Sequence, residues 1–296
     1  MARPILYVCG TPIGNLEDIT LRALRILREV GLIAAEDTRQ TRKLLTHYDI
    51  HKPLLSCHEH NEEEAATRVL RTLENGVPVA LVSDAGMPTV SDPGQRLVRK
   101  VVEAGYGVEV VPGPSAVIAA LAVSGQDTSR WCFEGFLPSR AAERRRRLAE
   151  LSREGRTLVF YEAPHRLVKL LSDMLDVLGN RSVSIARELT KVHEEVLRLD
   201  LGRALEHFRE NAPRGEITLV VSGSESESDH DLSDCFGDRR EGEETGLDAV
   251  ILSLLKEGLS TTAVAKEAAR RLGIPRNTAY RRALLLVRDG VTAPPV

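Results

Sequence analysis

Residues 79–94 read VALVSDAGMPTVSDPG, and the rest of the chain is arranged around this stretch. Its first four residues are all apolar, which is typical of a strand buried on both faces of a parallel sheet. Small and polar residues follow, and then Asp92-Pro93 predicts a helix start, with Asp92 accepting free N–H groups of the first turn. Open α/β sheets bind small ligands in such loops, although an ordinary strand-to-helix connection has the same chemistry.

The length and charge of the chain limit what it can be. Its 296 residues, 42% of them hydrophobic, are enough for about two domains with buried cores. The net charge of −3 does not indicate a nucleic-acid partner, but the charge is uneven. Residues 224–244 carry nine acidic and two basic residues, whereas residues 246–296 carry eight Lys and Arg against four acids. The end of the chain is therefore its basic part.

The cysteines and the apolar runs indicate a cytoplasmic protein. Cys9, Cys57, Cys132 and Cys235 form no CxxC pair, so we expect reduced thiols and no structural metal. A strand already begins near residue 5, which argues against a signal peptide. The longest apolar run, residues 116–123, is far shorter than the roughly 20 residues that span a bilayer. We therefore expect no membrane association.

The first part of the chain alternates strand and helix patterns. Strands are predicted at residues 5–8, 32–35, 79–82 and 108–111, and helices at 20–30, 61–74, around Val98, Val101 and Val102, and at 116–123. This order predicts a parallel α/β domain over residues 1–123. Because its last helix is almost wholly apolar, we expect that helix to be buried.

Three further segments follow. Residues 124–223 predict a second, mixed α/β domain, with strands near 132–136, 157–161, 182–186, 194–197 and 217–221 and helices near 141–154, 164–178 and 200–210. Residues 224–245 predict an acidic flexible linker. Residues 246–292 predict a small all-α module with helices at 247–256, 261–272 and 277–287. Its last two helices, separated by Gly273 and Pro275, read as a helix-turn-helix for nucleic-acid or protein contact.

Six ordered motifs carry a family resemblance. They are GTPIGNL (10–16), EDTR (36–39), SDAGMP with SDPG (83–94), VPGPS (111–115), YEAPHR (161–166) and RELTK (187–191). Together they resemble the tetrapyrrole methylase superfamily over residues 4–223, and they are most similar to the branch that methylates small-subunit ribosomal RNA. One departure is Ala163, where that branch usually has Ser.

The resemblance implies a cofactor, a substrate and an assembly. S-adenosylmethionine would lie in a cleft between two α/β domains, and the acceptor would be the ribose 2′-hydroxyl of a cytidine in the ribosomal decoding region. A homodimer that needs no metal is also implied. The implied cofactor-binding residues are Pro12, Ser83, Asp84, Ala85, Gly86, Pro88, Ser91, Asp92, Pro112, Gly113, Ser115, Ala116, Phe136, Leu137, Tyr161, Glu162, Pro164 and Glu216.

Methyl transfer to a ribose needs in-line positioning and a proton acceptor. The candidate acceptors are Glu36, Asp37, Glu188, Lys191 and Glu216, and we expect Glu188 or Lys191 to lie nearest the chemistry because their polar loop follows a buried strand. RNA phosphates need cationic contacts. The candidates are Arg39, Arg42, Lys43, Arg166, Arg144 and Arg145, although the arginine run 144–147 would also suit a solvated helix face.

Two other functions fit the same residues. One is methylation of a small molecule such as a porphyrin, which the basic C-terminal module argues against. The other is a nucleic-acid-binding regulator whose α/β part only senses a ligand. An enzyme acting on RNA should keep its cofactor affinity when the C-terminal module is deleted, whereas such a regulator should lose its function.

Overall fold

A computed structural model gives the fold. It describes residues 4–224, 244–257, 259–272, 279–280, 282–284 and 286. The chain forms two compact units, residues 1–226 and 227–296. Within the described residues no helix combines the length and the apolar character that crossing a membrane requires.

The first unit contains two five-stranded sheets. The strands of the first sheet are all parallel, in the order β3-β2-β4-β1-β5. They are β1 (Ile5–Cys9), β2 (Leu32–Ala35), β3 (Leu54–Ser56), β4 (Val79–Val82) and β5 (Gly107–Val111). The connecting helices are α1 (Leu21–Glu29), α2 (Thr38–His47), α3 (Glu62–Glu74), α4 (Gln95–Glu103) and α5 (Ala116–Ser124).

The strand order explains why the loop after β4 lies at a ligand position. All four residues of β4 are buried, as the apolar run predicts. The chain leaves β1 toward β2 on one side and leaves β4 toward β5 on the other, so the direction of winding reverses between β1 and β4. The loops after these two strands therefore border the crevice that binds ligands in open α/β sheets.

The sequence pattern missed one strand and one helix. The first sheet has a fifth strand, β3, preceded by helix α2, where only four strands were expected. β3 is three residues long, and it follows Pro53 in a polar stretch. A run this short gives almost no periodic signal. The parallel α/β architecture itself is confirmed.

The predicted start of α4 is wrong by two residues, and so is its cap. The helix begins at Gln95, after Gly94, which has φ = 122°. Asp92 therefore does not cap it. The Glu62 side chain of the neighbouring helix α3 accepts hydrogen bonds from the Gly94, Arg96 and Leu97 N–H groups instead.

The second sheet is mixed and has the order β6-β7-β10-β8-β9. Only β6 and β7 pair in parallel, and the other pairs are antiparallel. The strands are β6 (Trp131–Phe136), β7 (Thr157–Glu162), β8 (Ser182–Arg187), β9 (Glu195–Asp200) and β10 (Ile217–Val221). The helices α6 (Ala141–Glu150), α7 (Pro164–Leu178) and α8 (Leu201–Glu210) cover one face. These elements agree with the predicted mixed α/β domain.

Helix α5 joins the two sheets and is buried on one side only. Val117, Ala120 and Leu121 pack against Val159, Ala186 and Val220 of the second sheet in one buried cluster. Ile118 and Val123 are 54% and 37% exposed, so the expected burial holds for one face of the helix only. Val102 of α4 is 58% exposed as well.

The second unit is helical where it is described. Its helices are α9 (Glu244–Lys256) and α10 (Thr261–Leu272), which agree with the first two helices predicted there. Buried apolar residues of both helices pack with Ala279 and Ala283, and Asp248 forms an ion pair with Arg282 at 2.6 Å. The predicted acidic linker lies almost entirely outside the described residues, and the predicted third helix lies partly outside them.

Candidate functional site

The loops after β1 and β4 are tied together at the carboxyl edge of the first sheet. Thr11 and Gly86 exchange two backbone hydrogen bonds of 2.9 and 3.1 Å, and the Thr11 hydroxyl donates to the Ser83 carbonyl. Gly10 lies so close to Gly113, in the loop after β5, that a Cβ on either would meet the other's backbone at 2.7–2.9 Å. Three loops of one edge are therefore held in close contact.

The loop after β4 has an unusual backbone. Gly86, Thr89 and Gly94 all have positive φ angles, of 79°, 75° and 122°. A left-handed threonine is strained, because its branched Cβ crowds the backbone. The contacts at the two ends of the loop must therefore hold this conformation.

A cavity of about 320 Å³ opens beside this loop, between the two sheets, and we call it the first cavity. Its volume is within the range of small-molecule sites. It is lined by Ile13, Ala85, Gly86, Met87, Val90, Ser91, Asp92, Ser115, Ala116, Phe136, Tyr161, Glu162, Ala163, Pro164, Gly215, Glu216, Ile217 and Thr218.

Most of the expected cofactor-binding residues line the first cavity, but some do not. Pro12 and Asp84 line the neighbouring cavity described below. Ser83 is buried beneath the loop. Pro88, Pro112, Gly113 and Leu137 belong to the loops that shape the first cavity but are not among its lining residues.

Sequence reasoning missed the contribution of β10. Ile217 pairs with Glu162, and Thr218 pairs with Tyr161, so the antiparallel partner of β7 adds its own side chains to the first cavity. The sequence contains the β10 strand pattern but no sign of which strand it pairs with. Of the residues at the start of β10, only Glu216 was expected at the site.

Glu162 is the buried acid of the first cavity. It is 2% exposed, and burial raises the pKa of its carboxyl. Oε1 accepts a hydrogen bond from the Ala163 N–H and lies 3.1 Å from Arg166 Nε, whereas Oε2 has no hydrogen-bond partner among the described residues. A buried, unpaired oxygen in a cavity wall is suited to a ligand's N–H or O–H group.

Asp92 is the second acid of the first cavity. Burial, and then the charge of Glu36, raise the pKa of Asp92 to about 6, although the Ser83 side chain bonds to its carboxylate. Burial also raises the pKa values of Glu36 and Asp84. Asp84 accepts a hydrogen bond from the Asp37 N–H at 3.0 Å. Glu36, Asp84 and Asp92 thus form one group with raised proton affinity, whereas hydrogen bonds with Arg39 lower the pKa of the adjacent Asp37 to about 2.

A second cavity of about 390 Å³ adjoins the first. Ile13, Ala85 and Glu216 line both cavities, so these residues form the shared wall. The remaining lining of the second cavity is Thr11, Pro12, Gly14, Leu16, Gln40, Lys43, Leu44 and Asp84. Its wall therefore includes helix α2, which carries the exposed bases Arg42 and Lys43.

A lysine with two carboxylates lies at the shared wall. Lys191 Nζ bonds Glu188 Oε1 at 2.9 Å and Glu216 Oε2 at 3.0 Å. Burial alone would lower the pKa of Lys191, but these two bonds outweigh it and raise that pKa. The bond from Lys191 also lowers the pKa of Glu188. At neutral pH the group is thus a cation between two anions, and only Glu216 lines the cavities.

Two of the expected RNA-contacting arginines are engaged inside the protein. Arg144 is 6% exposed, forms a 2.6 Å ion pair with Asp173 and donates to the Ser139 carbonyl, so it is not available to RNA. Arg166 donates to the Leu137 carbonyl at 2.5 Å and lies against Glu162. Both guanidinium groups bind acids or carbonyls of their own fold, which disfavours these two arginines as RNA contacts.

The other expected bases differ in whether they already form ion pairs within the protein. Arg145 is half-exposed but pairs with both Asp173 and Asp176. Arg39 pairs with Asp37 at 2.7 Å. Arg42 is exposed, with no ion-pair partner among the residues of known placement, and Lys43 Nζ donates to Gln40 Oε1 at 3.0 Å. Helix α2 is therefore the better cationic surface.

The fold is that of known two-lobed α/β methyltransferases. Cobalt precorrin-4 methyltransferase matches with a TM-score of 0.54 and 18% identity, over 74% of this chain and 94% of that one. Uroporphyrin-III-C-methyltransferase from Thermus thermophilus matches with a TM-score of 0.52 and 20% identity, over the same shares. These similarities show that the chain shares the fold of these methyltransferases, and they show the fold alone.

Sequence comparison gives the family. The model of the Tetrapyrrole (Corrin/Porphyrin) Methylases matches residues 5–205, and the model of the RsmI C-terminal HTH domain matches residues 241–286. The chain therefore belongs to the tetrapyrrole methylase family, whose members are S-adenosylmethionine-dependent methyltransferases.

Two relatives are similar over nearly their own full length, and only the first of them also covers the C-terminal part of this chain. A protein of Pseudomonas aeruginosa named ribosomal RNA small subunit methyltransferase I is 45% identical over 289 residues, 96% of this chain and 98% of its own. A Thermotoga maritima protein of the same name is 53% identical over 220 residues, 74% of this chain and 99% of its own.

Proposed function

We propose that the protein transfers the methyl group of S-adenosylmethionine to the 2′-hydroxyl of a cytidine ribose in the decoding region of small-subunit ribosomal RNA. One observation carries the proposal. The 45% identity to a ribosomal RNA small subunit methyltransferase spans both the two-sheet unit and the C-terminal helical unit. A likeness of fold alone, such as that to the two solved methyltransferases, would not distinguish RNA from a small-molecule substrate.

The first cavity fits the cofactor. The adenine base and the methylene groups need an apolar slot, which Ile13, Val90 and Ile217 supply, and the cofactor's ammonium and adenine amino groups need acceptors, which Glu162 Oε2 and Asp92 supply. When bound, S-adenosylmethionine supplies a methyl group on a positively charged sulfur. The acids of this wall place negative charge beside that cation.

The second cavity fits the nucleotide. A ribose in a structured RNA must be turned out of its stack to enter a cleft. The wall shared by the two cavities, at Ile13, Ala85 and Glu216, would hold the 2′-oxygen beside the cofactor cavity. Holding the acceptor in line is the main way such a site accelerates the transfer.

The proton of the 2′-hydroxyl needs an acceptor near that wall. The group formed by Glu188, Lys191 and Glu216 is closest, since Glu216 lines both cavities and is bonded to Lys191. In our proposal the Glu216 carboxylate takes this proton as the oxygen–methyl bond forms and the sulfur–methyl bond breaks, and the Lys191 cation holds Glu216 in place and lowers the proton affinity of the bound hydroxyl by its charge. Glu36 accepts a hydrogen bond of 3.4 Å from the Asp84 N–H. In our proposal it therefore holds the loop after β4 in place and does not take the proton.

The RNA would lie across helix α2 and contact the helix-turn-helix domain. Arg42 and Lys43 are the phosphate contacts that we propose for α2, because they are exposed and Lys43 lines the second cavity. Arg39 and Arg145 would contribute less, since each already pairs with an acid.

We further propose that the protein acts in the cytoplasm as a homodimer. Val110, on the edge strand β5, is 57% exposed, and Ile118 and Val123 of α5 add apolar surface. Apolar residues on an edge strand favour association with a second copy. Light scattering on the full chain would show twice the mass of one chain.

A methylation assay tests the proposed function. Small ribosomal subunits from cells lacking this enzyme are incubated with the protein and radiolabelled S-adenosylmethionine, and a porphyrin is assayed in parallel. We expect label in the RNA, recovered as 2′-O-methylcytidine after nuclease digestion and mass spectrometry. Label only in the porphyrin, or in a base rather than a ribose, would overturn the proposal.

A further inference from the structure

The carboxylate of Glu62 is placed to control the cofactor loop from outside the cavity. Glu62 is the first residue of α3 and is 7% exposed. Its Oε1 accepts hydrogen bonds from the N–H groups of Gly94 at 3.0 Å, Arg96 at 2.6 Å and Leu97 at 3.2 Å. One buried oxygen thus satisfies three N–H groups at the start of α4.

These bonds do what an N-cap side chain normally does. The residue in the cap position of α4 is Gly94, which has no side chain to accept from the first turn. Glu62 supplies the missing acceptor from another helix. Its negative charge also lies at the positive end of α4, where an anion is stabilised.

The loop that Glu62 anchors is the one that shapes the first cavity. The Thr11–Gly86 bonds fix the beginning of the loop, and Glu62 fixes its end at Gly94. Between the two anchors, Met87, Val90, Ser91 and Asp92 line the first cavity. The strained Thr89, with φ = 75°, lies in the same span. Without the second anchor, the free end of the loop could relax this strain.

We propose that Glu62 is a positioning residue for cofactor binding, which it supports by clamping the end of the 83–94 loop without touching the cofactor. This inference rests on the proposed assignment of the first cavity to S-adenosylmethionine. Glu62 itself is not among the residues that line that cavity. Its effect on the cofactor must therefore pass through the backbone of Gly94 and the residues before it.

The test compares four variants of the full chain. Glu62→Ala removes the acceptor, Glu62→Gln keeps an oxygen that can accept the same bonds, and Glu62→Asp shortens the reach by one methylene. Glu63→Ala is the matched control, because Glu63 is the next residue of α3 and contacts Lys100 of α4 from the surface without touching the start of the helix. Calorimetry measures the dissociation constant for S-adenosylmethionine, and hydrogen exchange follows the peptide covering residues 83–97.

We expect Glu62→Ala and Glu62→Asp to weaken cofactor binding by about tenfold or more, with faster exchange in residues 83–97. Glu62→Gln should restore most of the affinity, and Glu63→Ala should change neither quantity. If Glu62→Ala does not fold, Glu62→Asp gives the same comparison.

The outcomes separate this inference from the proposed function. A dissociation constant unchanged in Glu62→Ala and Glu62→Asp, whatever their melting temperatures, would overturn the positioning role and show that Glu62 is a structural cap only. Failure of the wild-type chain to bind S-adenosylmethionine would instead overturn the assignment of the cavity.

Discussion

The two cavities share a wall but are built from different chemistry. The first is lined mainly by loop backbone and apolar side chains from both sheets, with two acids of raised pKa, Asp92 and Glu162. The second is bordered by α2 and carries the exposed cation Lys43. Asp84 and Glu216 also line the second cavity, so the added cation Lys43 is what distinguishes it. In our proposal Lys43 meets an RNA phosphate, whereas the first cavity faces the cationic sulfur donor with acids and no base among its described lining residues.

A substitution beside the wall that the two cavities share should best distinguish their roles in catalysis and in cofactor binding. Lys191→Met removes the cation that holds Glu216 but keeps much of the side-chain volume. Because acid–base and charge assistance act in the transition state, we expect kcat to fall by roughly 10²–10⁴-fold. The dissociation constant for S-adenosylmethionine should stay within about twofold, since only uniform binding terms would change it. Single-turnover methylation of small subunits measures the first quantity and calorimetry the second.

Lys191→Arg is the control for that prediction. It keeps a cation near Glu188 and Glu216 and should retain more activity than the methionine variant. An unchanged kcat in Lys191→Met would remove the group around Lys191 from the reaction. Equal losses of kcat and cofactor affinity would instead mean that Lys191 stabilises the structure of the first cavity.

A second change should affect the first cavity more than the second. Gly113→Ala places a Cβ within 2.9–3.1 Å of the Gly10 backbone, where nothing can move aside cheaply. Overpacking of this kind costs about 1–3 kcal/mol, and we expect it as a roughly tenfold or greater loss of cofactor affinity. Calorimetry measures the loss directly.

Gly107→Ala is the control, at the first residue of β5, the strand that leads into the Gly113 loop. The nearest atom to a Cβ there is Ile5 Cγ1 at 3.5 Å, which is ordinary van der Waals contact. Equal affinities for the two variants would mean that the contact of Gly10 with Gly113 does not shape the cofactor cavity.

The contrast between the cavities also shows what the sequence could predict. The buried strand β4, its loop and the motifs around the first cavity were recognisable, because apolar runs and small polar residues are local signals. The pairing of Thr218 with Tyr161, the cap of α4 by Glu62 and the internal ion pair of Arg144 were not. Each joins residues distant in the chain, and nothing in the local pattern names the partner.

The exposed bases of helix α2 predict that RNA binding depends on salt concentration. The double variant Arg42→Ala/Lys43→Ala should weaken RNA binding several-fold at moderate salt, and it should reduce the slope of log K against log salt by about 1.5 for two lost phosphate contacts. Filter binding of small subunits over a range of salt concentrations measures the slope. Cofactor affinity should not change, because neither residue lines the first cavity.

Arg145→Ala is the control for the salt effect. Arg145 is also basic and half-exposed, but Asp173 and Asp176 already neutralise it. The slope of log K against log salt for Arg145→Ala should match that of the wild type. A larger change of this slope in Arg145→Ala than in the α2 double variant would mean that the RNA contacts helix α6 and not helix α2.

The smallest expected effect concerns the acid of the first cavity. Asp92 has a pKa of about 6 in the folded chain against 3.8 for a free side chain, so between these values the native state binds more protons than the unfolded state. Stability therefore falls as pH rises through this window and levels off above it. Asp92→Asn cannot titrate, so its free energy of unfolding should rise relative to the wild type as pH increases from about 4 to 6.

Urea unfolding of the wild type and of Asp92→Asn at each pH gives this difference, with Glu206→Gln, an exposed position on α8, as the control. A cation bound beside Asp92 favours its ionised form, so saturating S-adenosylmethionine should reduce the pH dependence of the difference. If the cofactor leaves that dependence unchanged, Asp92 does not face the sulfur cation. The acids of the first cavity that face the sulfur cation would then be Glu162 or Glu216.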